Sequence, residues 1–161
     1  MFLFSFYTRG MSFIDMAYLK KSDLKNGIIT YRRRKTGQQL TVKWEKCMED
    51  IIAKYGENTA TRYLLPIITN PCSDERTQYR NAICRINVAL KEVAGLAGLN
   101  IPLTMHVARH CWASVAKSKN IPLSVISEGM GHDSEETTRI YLASLDTSVV
   151  DKANSLILKD F

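Results

Sequence analysis

The sequence lacks the features of secreted and membrane-spanning proteins. It has only four cysteines in 161 residues, widely separated and with no CxxC pair, so neither a disulfide framework nor a zinc ribbon is expected. The apolar N-terminal run ends before Arg9, far short of the roughly 20 residues that cross a bilayer. It also has no basic start and no small-residue cleavage site of a signal peptide. These absences predict a reduced, cytoplasmic protein.

Proline and glycine are also scarce, with four and eight residues, and no linker, repeat or low-complexity tract divides the chain. One domain over residues 1–161 is therefore the simplest organisation. The abrupt apolar start predicts that this domain is the C-terminal part of a longer protein. Acidic residues are fewer than basic ones, which gives a formal net charge of +6 and a pI of about 9.2. This excess favours a polyanionic partner such as nucleic acid.

Hydrophobic periodicity predicts a mostly α-helical fold with one small antiparallel β-hairpin. Residues 2–19 are compatible with a helix broken near Gly10. The segments GIITYRRR and QLTVKW are rich in β-branched residues and flank a KTGQ turn, so they predict the hairpin. Apolar spacing predicts a helix over 44–55, and Ser73 or Asp74 is placed to cap a longer one that ends near Leu96. In the longer helix a core-facing stripe is expected from Ile83, Ile86, Leu90 and Val93. Four further helices are predicted, and they begin near Thr104, Pro122 and Ser134 and within 146–161.

Four residues near the C-terminus carry the chemistry. His106 and Arg109 stand three residues apart in HVARH, so on a helix both side chains reach the same phosphate. A guanidinium matches two phosphate oxygens, and an imidazole both donates and moves a proton. His132 follows in GMGHDS and Tyr141 in ETTRIYLAS, where a hydroxyl is available for attack. Taken singly, each residue also fits a core or surface role.

A metal site is the alternative for the histidines. His106 and His110 have the four-residue spacing of zinc-binding pairs, but no Glu stands between them as in HExxH and no third ligand is obvious. We therefore expect no metal and no cofactor.

In combination, HxxRH, a later GH step and TTxxY resemble the catalytic domain of the tyrosine recombinases, the phage integrase family. The resemblance extends over nearly the whole chain, including YTRGMSFIDMAYL, YRRRKTGQQLTV and VVDKANSLIL. The segment GMSFIDMAYL resembles Bacteroidetes-type integrases. The resemblance implies the tyrosine recombinase catalytic-domain fold and site-specific cleavage and rejoining of DNA, for integration, excision or inversion of a mobile element.

The resemblance also implies a role for each residue. Tyr141 would be the nucleophile that forms a 3′-phosphotyrosyl link, and Arg109 would neutralise the non-bridging oxygens. His106 and His132 would hydrogen-bond the phosphate, and Lys35 at the hairpin tip would protonate the leaving 5′-oxygen. No metal or nucleotide would be needed, because the phosphotyrosine conserves the energy of the broken bond.

One position departs from the family pattern. The first catalytic arginine usually lies three residues before an acidic residue, but here the residue three before Asp15 is Ser12. Arg33 and Arg9 are the available substitutes. Arg33 is favoured because strand alternation would place it on the same face as Lys35. The alternative is that Arg33 only grips the DNA backbone.

The resemblance further predicts how the chain meets DNA and assembles. Double-stranded DNA would be contacted by basic side chains of the hairpin and the long helix, namely Arg32, Arg34, Lys43, Arg76 and Arg80. The apolar stripe of 146–161 would be exchanged between protomers in a tetramer on DNA, or would fold back in a monomer. We expect the family's N-terminal DNA-clamping domain to be absent from residues 1–161. A catalytically impaired DNA-binding relative and a type IB topoisomerase are the alternative functions, and the expected location is the nucleoid.

Overall fold

The computed structural model describes residues 1–56 and 60–143. These residues form seven α-helices, one 3₁₀ turn at Lys21–Asp23 and one antiparallel sheet. The helices are α1 (Phe2–Tyr7), α2 (Phe13–Ala17), α3 (Lys46–Tyr55), α4 (Glu75–Leu96), α5 (Met105–Ser118), α6 (Leu123–Met130) and α7 (Glu135–Ala143), and the strands are β1 (Leu24–Lys25), β2 (Ile28–Arg32) and β3 (Gln39–Lys43). The prediction of a mostly α fold with a small antiparallel sheet is confirmed. No helix in the described ranges is long and apolar enough to span a membrane.

The chain divides into two compact units, Met1–Trp112 and Ala113–Phe161. The first unit contains α1 to α4, the sheet and the beginning of α5, and it holds the main hydrophobic core. The second contains the end of α5 together with α6 and α7. The helix predicted within 146–161 lies outside the described residues.

The sheet presents one buried face to the core of the first unit. In β2 and β3 every second residue is buried, and the buried pairs Ile29 with Val42 and Tyr31 with Leu40 lie opposite each other across the ladder. The sequence did not predict β1, which pairs with β2 through a turn at Asn26 and Gly27. Both turn residues have positive φ, 52° and 72°. Asn-Gly is the dipeptide that this tight hairpin geometry favours, so the signal was present in the sequence.

Helix α4 begins after its predicted N-cap and ends at the predicted residue. The side chain of Asp74 accepts the backbone N–H of Thr77 at 2.6 Å, and the helix continues to Leu96. Ile83, Ile86 and Leu90 pack against the core as expected. The prediction for Val93 is wrong, because that side chain is 50% exposed. At 1.5 Å per residue the helix is about 33 Å long. Ala94, the residue after Val93, is only 4% exposed, so the covered position at this end of the helix is Ala94 and not Val93.

The second unit places a short loop between two packed helices. Helix α6 ends at Gly131, whose φ of 64° is left-handed, and α7 begins at Glu135 after Ser134 accepts the Thr137 N–H at 3.2 Å. Helices α6 and α7 contact each other. His132 therefore stands in a loop that is fixed at both ends.

Candidate active site

Arg109 lies on α5 and is buried, with only 7% of its surface exposed. Its Nη1 donates a hydrogen bond of 2.8 Å to the carbonyl oxygen of Gly10, which lies 99 residues earlier in the chain. Gly10 has a φ of 73° in the segment between α1 and α2. The guanidinium is therefore held by backbone, in a position that this turn defines.

The turn and α5 approach so closely at Gly10 that a side chain does not fit. A Cβ built there would lie 2.8 Å from Arg109 Cγ and 2.9 Å from Arg109 Cα. Neither contact can be relieved by rotation of the end of the arginine side chain, because both atoms lie at or near the α5 backbone. Gly10 is thus required by both its φ and its packing.

We expect Gly10→Ala to lower the free energy of unfolding by about 2 kcal/mol or more, since backbone strain at positive φ adds to the clash with α5. Urea unfolding monitored by circular dichroism measures the loss. Gly27→Ala is the matched control, because Gly27 has a φ of 72° but nothing within 4 Å of its built Cβ. The control should lose only the part due to backbone strain. Equal losses in the two variants would contradict the packing argument.

His106 stands one turn before Arg109 on α5. Partial burial lowers the pKa of His106, and the positive charges of Arg109 and Lys35 lower it further. The imidazole is therefore neutral at neutral pH and able to accept a proton. The rings of His106 and His110 pack edge to face, with 4.4 Å between their centroids. Because the charge of Lys35 lowers the pKa of His106, the hairpin lysine lies within electrostatic reach of α5.

The hairpin turn separates Arg33 from Lys35. Strand β2 ends at Arg32, and Arg33 continues its buried face with only 8% of its surface exposed. Arg33 N donates to Gln38 O at 2.9 Å, and Gly37 N donates to Arg33 O at 2.8 Å. Lys35 lies within this turn and is exposed. The strand alternation expected from the sequence therefore does not extend to Lys35.

The charges of three arginines affect the pKa of Tyr31. Tyr31 lies two residues before Arg33, on the buried face of β2. Burial and the carboxylate of Asp15 raise the pKa of Tyr31, while the charges of Arg109, Arg33 and Arg9 oppose the rise, in that order. Both candidate substitutes for the first arginine are thus near the phenol that Arg109 also influences. Arg33 is the buried one, and Arg9 is only partly buried.

Ser12, at the usual position of the first arginine, is connected to the hairpin through the carboxylate of Asp15. Its hydroxyl donates to Asp15 Oδ2 at 2.6 Å, and Asp15 Oδ1 accepts the backbone N–H of Arg34 at 2.8 Å. The guanidinium of Arg34 lies 3.8 Å above the ring of Tyr18. These contacts tie α2 to the segment between Arg33 and Lys35. The Ser-x-x-Asp spacing signals the contact within α2, but no sequence pattern signals the bond to the hairpin.

In the second unit His132, Thr138 and Tyr141 form one cluster. His132 Nδ1 is hydrogen-bonded to Thr138 Oγ1 at 2.7 Å, and the ring of His132 meets that of Tyr141 edge to face at 5.5 Å. Thr138 is fully buried on α7, one turn before Tyr141. Sequence reasoning missed Thr138. The spacing of Thr138 and Tyr141 in TTxxY was the available signal, because residues three apart share a helix face.

The five side chains predicted to bind DNA are all exposed, namely Arg32, Arg34, Lys43, Arg76 and Arg80. Lys43 forms an ion pair of 3.3 Å with Glu45, and Arg32 Nη1 donates to the carbonyl oxygen of Gly37 at 3.2 Å. Over the described parts of the chain, no group of three or more His, Cys, Asp or Glu side chains is placed to hold a metal ion.

Comparison with known proteins gives the family of the chain and relatives of its fold. A sequence model of the phage integrase family matches residues 2–148. The fold is similar to that of XerA recombinase, with a TM-score of 0.64 and 22% identity over 94% of this chain and 55% of that one. It is also similar to XerH site-specific recombinase in a post-cleavage complex with palindromic difH substrate, with a TM-score of 0.64 and 20% identity over 96% of this chain and 44% of that one.

A lambda integrase dimer bound to a COC′ core site is similar as well, with a TM-score of 0.58 and 17% identity over 88% of this chain and 50% of that one. The chain therefore spans about half the length of these structural relatives. At such identities the likeness shows the fold, and the predicted catalytic-domain fold is confirmed. No curated protein matches the sequence.

Proposed function

The chain belongs to the phage integrase family, and we propose that it is the catalytic domain of a tyrosine recombinase that cuts and rejoins DNA at specific sites. The observation that carries the proposal is the buried guanidinium of Arg109, fixed by the Gly10 carbonyl beside His106. The charge of Lys35 acts on that same histidine. The Arg109 guanidinium is thus a preorganised donor for a phosphate, and Lys35 is the candidate donor for the leaving group.

Cleavage proceeds by transesterification. The oxygen of the Tyr141 hydroxyl attacks phosphorus and gives up its proton, the bond from phosphorus to the 5′-oxygen breaks, and Lys35 protonates that oxygen. The products are a 3′-phosphotyrosine and a 5′-hydroxyl. Attack of another 5′-hydroxyl on the phosphotyrosine reverses these steps and rejoins the strand. The number of phosphoester bonds is unchanged, so no external energy source is needed.

The remaining side chains stabilise the negative charge of the pentavalent transition state. Arg109 and Arg33 neutralise the non-bridging oxygens, and Arg33 takes the place of the arginine that Ser12 replaces. His106 and His132 hydrogen-bond the same phosphate. His106, neutral because its pKa is lowered, is the side chain suited to accept a proton from Tyr141.

Double-stranded DNA is the substrate, and the exposed basic side chains hold its backbone without reading its sequence. The solved complexes of XerH and lambda integrase with their DNA sites support this partner. We further propose that residues 1–161 act as one catalytic domain, and that four protomers assemble on DNA.

Trapping the covalent intermediate tests the proposal. The protein is incubated with duplexes that carry a nick beside a randomised segment, so that the short cleaved fragment diffuses away and the adduct accumulates. We expect a denaturant-resistant adduct whose DNA converges on one sequence and whose modified peptide contains Tyr141. DNA binding without any adduct would instead identify a catalytically impaired relative. Relaxation of supercoiled DNA with no sequence preference would identify a type IB topoisomerase.

A further inference from the structure

Thr138 is buried against the imidazole of His132, and the pair has a defined geometry. The distance between Thr138 Oγ1 and His132 Nδ1 is 2.7 Å, and Thr138 has no exposed surface. Thr138 is therefore the hydrogen-bond partner of a histidine to which the proposed function assigns a phosphate contact. Its hydroxyl decides what the other ring nitrogen, Nε2, is able to do.

The direction of this hydrogen bond follows from the surroundings of the hydroxyl. Within the described parts of the chain, His132 Nδ1 is the one acceptor that the Thr138 hydroxyl reaches. Elsewhere in the chain the Thr8 hydroxyl donates instead to a helix carbonyl, that of Phe4, at 2.6 Å. Burial of a hydroxyl that donates no hydrogen bond costs free energy. The Thr138 hydroxyl therefore donates its proton to Nδ1 of His132.

We propose that Thr138 is a positioning residue that fixes the tautomer of His132. With Nδ1 occupied as an acceptor, the proton of the neutral ring is on Nε2, and His132 acts as a hydrogen-bond donor to the phosphate. It does not act as the base that takes the Tyr141 proton. The tautomer itself is independent of the function proposed above, whereas its effect on cleavage rests on that function.

Nuclear magnetic resonance of protein labelled with ¹⁵N in the imidazole rings tests the tautomer without DNA. The chain has only three histidines, and His132→Gln assigns the signals of His132. At a pH where the ring is neutral we expect a protonated Nε2 and an Nδ1 signal shifted by an accepted hydrogen bond. A proton on Nδ1 would overturn the proposal, whether or not the protein cleaves DNA.

Three variants test the role of the hydroxyl. Thr138→Val keeps the shape but removes the donor, and we expect loss of the hydrogen-bond shift at Nδ1 and a drop in cleavage of about tenfold. Thr138→Ser should restore both. Thr137→Val, at the exposed neighbour, should change neither.

Cleavage is measured on the duplex recovered by adduct trapping, and thermal unfolding verifies that each variant is folded. Wild-type cleavage by Thr138→Val, together with the lost shift, would overturn the catalytic part of the proposal. An unchanged Nδ1 signal in that variant would overturn the assignment of the hydrogen bond itself.

Discussion

Replacement of Tyr141 by phenylalanine is expected to eliminate the covalent adduct completely. The substitution removes only the nucleophilic oxygen, because phenylalanine retains the ring that meets His132 edge to face at 5.5 Å. The fold of α7 and its contact with α6 should therefore persist. Denaturing gel electrophoresis of the trapped reaction measures the adduct, and fluorescence anisotropy on the same duplex measures binding, which should remain close to wild type.

Tyr79→Phe is the matched control. Tyr79 is another half-buried tyrosine, and its ring packs against Phe13 at 5.8 Å between centroids. The variant should form the adduct at the wild-type rate. An adduct that persists in Tyr141→Phe would show that another side chain is the nucleophile and would refute the assigned role of Tyr141.

Arg33→Ala is expected to slow cleavage by about 10²-fold or more, since one positive donor is removed from a phosphoryl-transfer site. The backbone bonds that close the turn, from Arg33 N to Gln38 O and from Gly37 N to Arg33 O, do not involve the side chain and should remain. Exposed basic residues still surround the turn, so affinity for DNA should change little. Single-turnover cleavage and anisotropy separate the two effects.

Two further variants decide between the candidate arginines. Arg32→Ala removes a charge one residue away, from an exposed side chain outside the buried face, and it should cleave nearly as fast as wild type. Arg9→Ala removes the other substitute. Near-wild-type cleavage by Arg33→Ala together with a 10²-fold loss in Arg9→Ala would transfer the role to Arg9. Urea unfolding of Arg33→Ala shows whether loss of a buried side chain has weakened the fold.

Local sequence patterns predicted the elements of the fold well. The N-cap of α4 located its beginning and its apolar periodicity the approximate end, and the basic hairpin lies where its β-branched residues indicate. The exposure of Val93 was not predictable from periodicity, because Val93 and Ala94 stand three and four residues after Leu90 and both fit the stripe, whereas Ala94 is the buried one. Strand β1, which has two residues, is too short to show alternation.

The contacts that shape the site were beyond sequence reasoning for a different reason. The hydrogen bond from Arg109 to Gly10 joins residues 99 apart, and the bond from the Arg34 N–H to Asp15 joins residues 19 apart. Both use backbone groups, which every residue possesses, so no side-chain pattern marks them. The sequence indicated which residue types carry the chemistry, and tertiary packing determines which backbone groups hold them.

The carbonyl of Gly10 also affects the thermodynamics of phosphate recognition. An arginine side chain that is free in solution loses rotamer entropy worth about 2 kcal/mol when it is immobilised. Arg109 is already immobilised by burial and by its 2.8 Å bond to Gly10 before any DNA arrives. Its engagement with a phosphate should therefore carry almost no entropic penalty, in contrast to that of the exposed Lys35, which still has its side-chain freedom to lose.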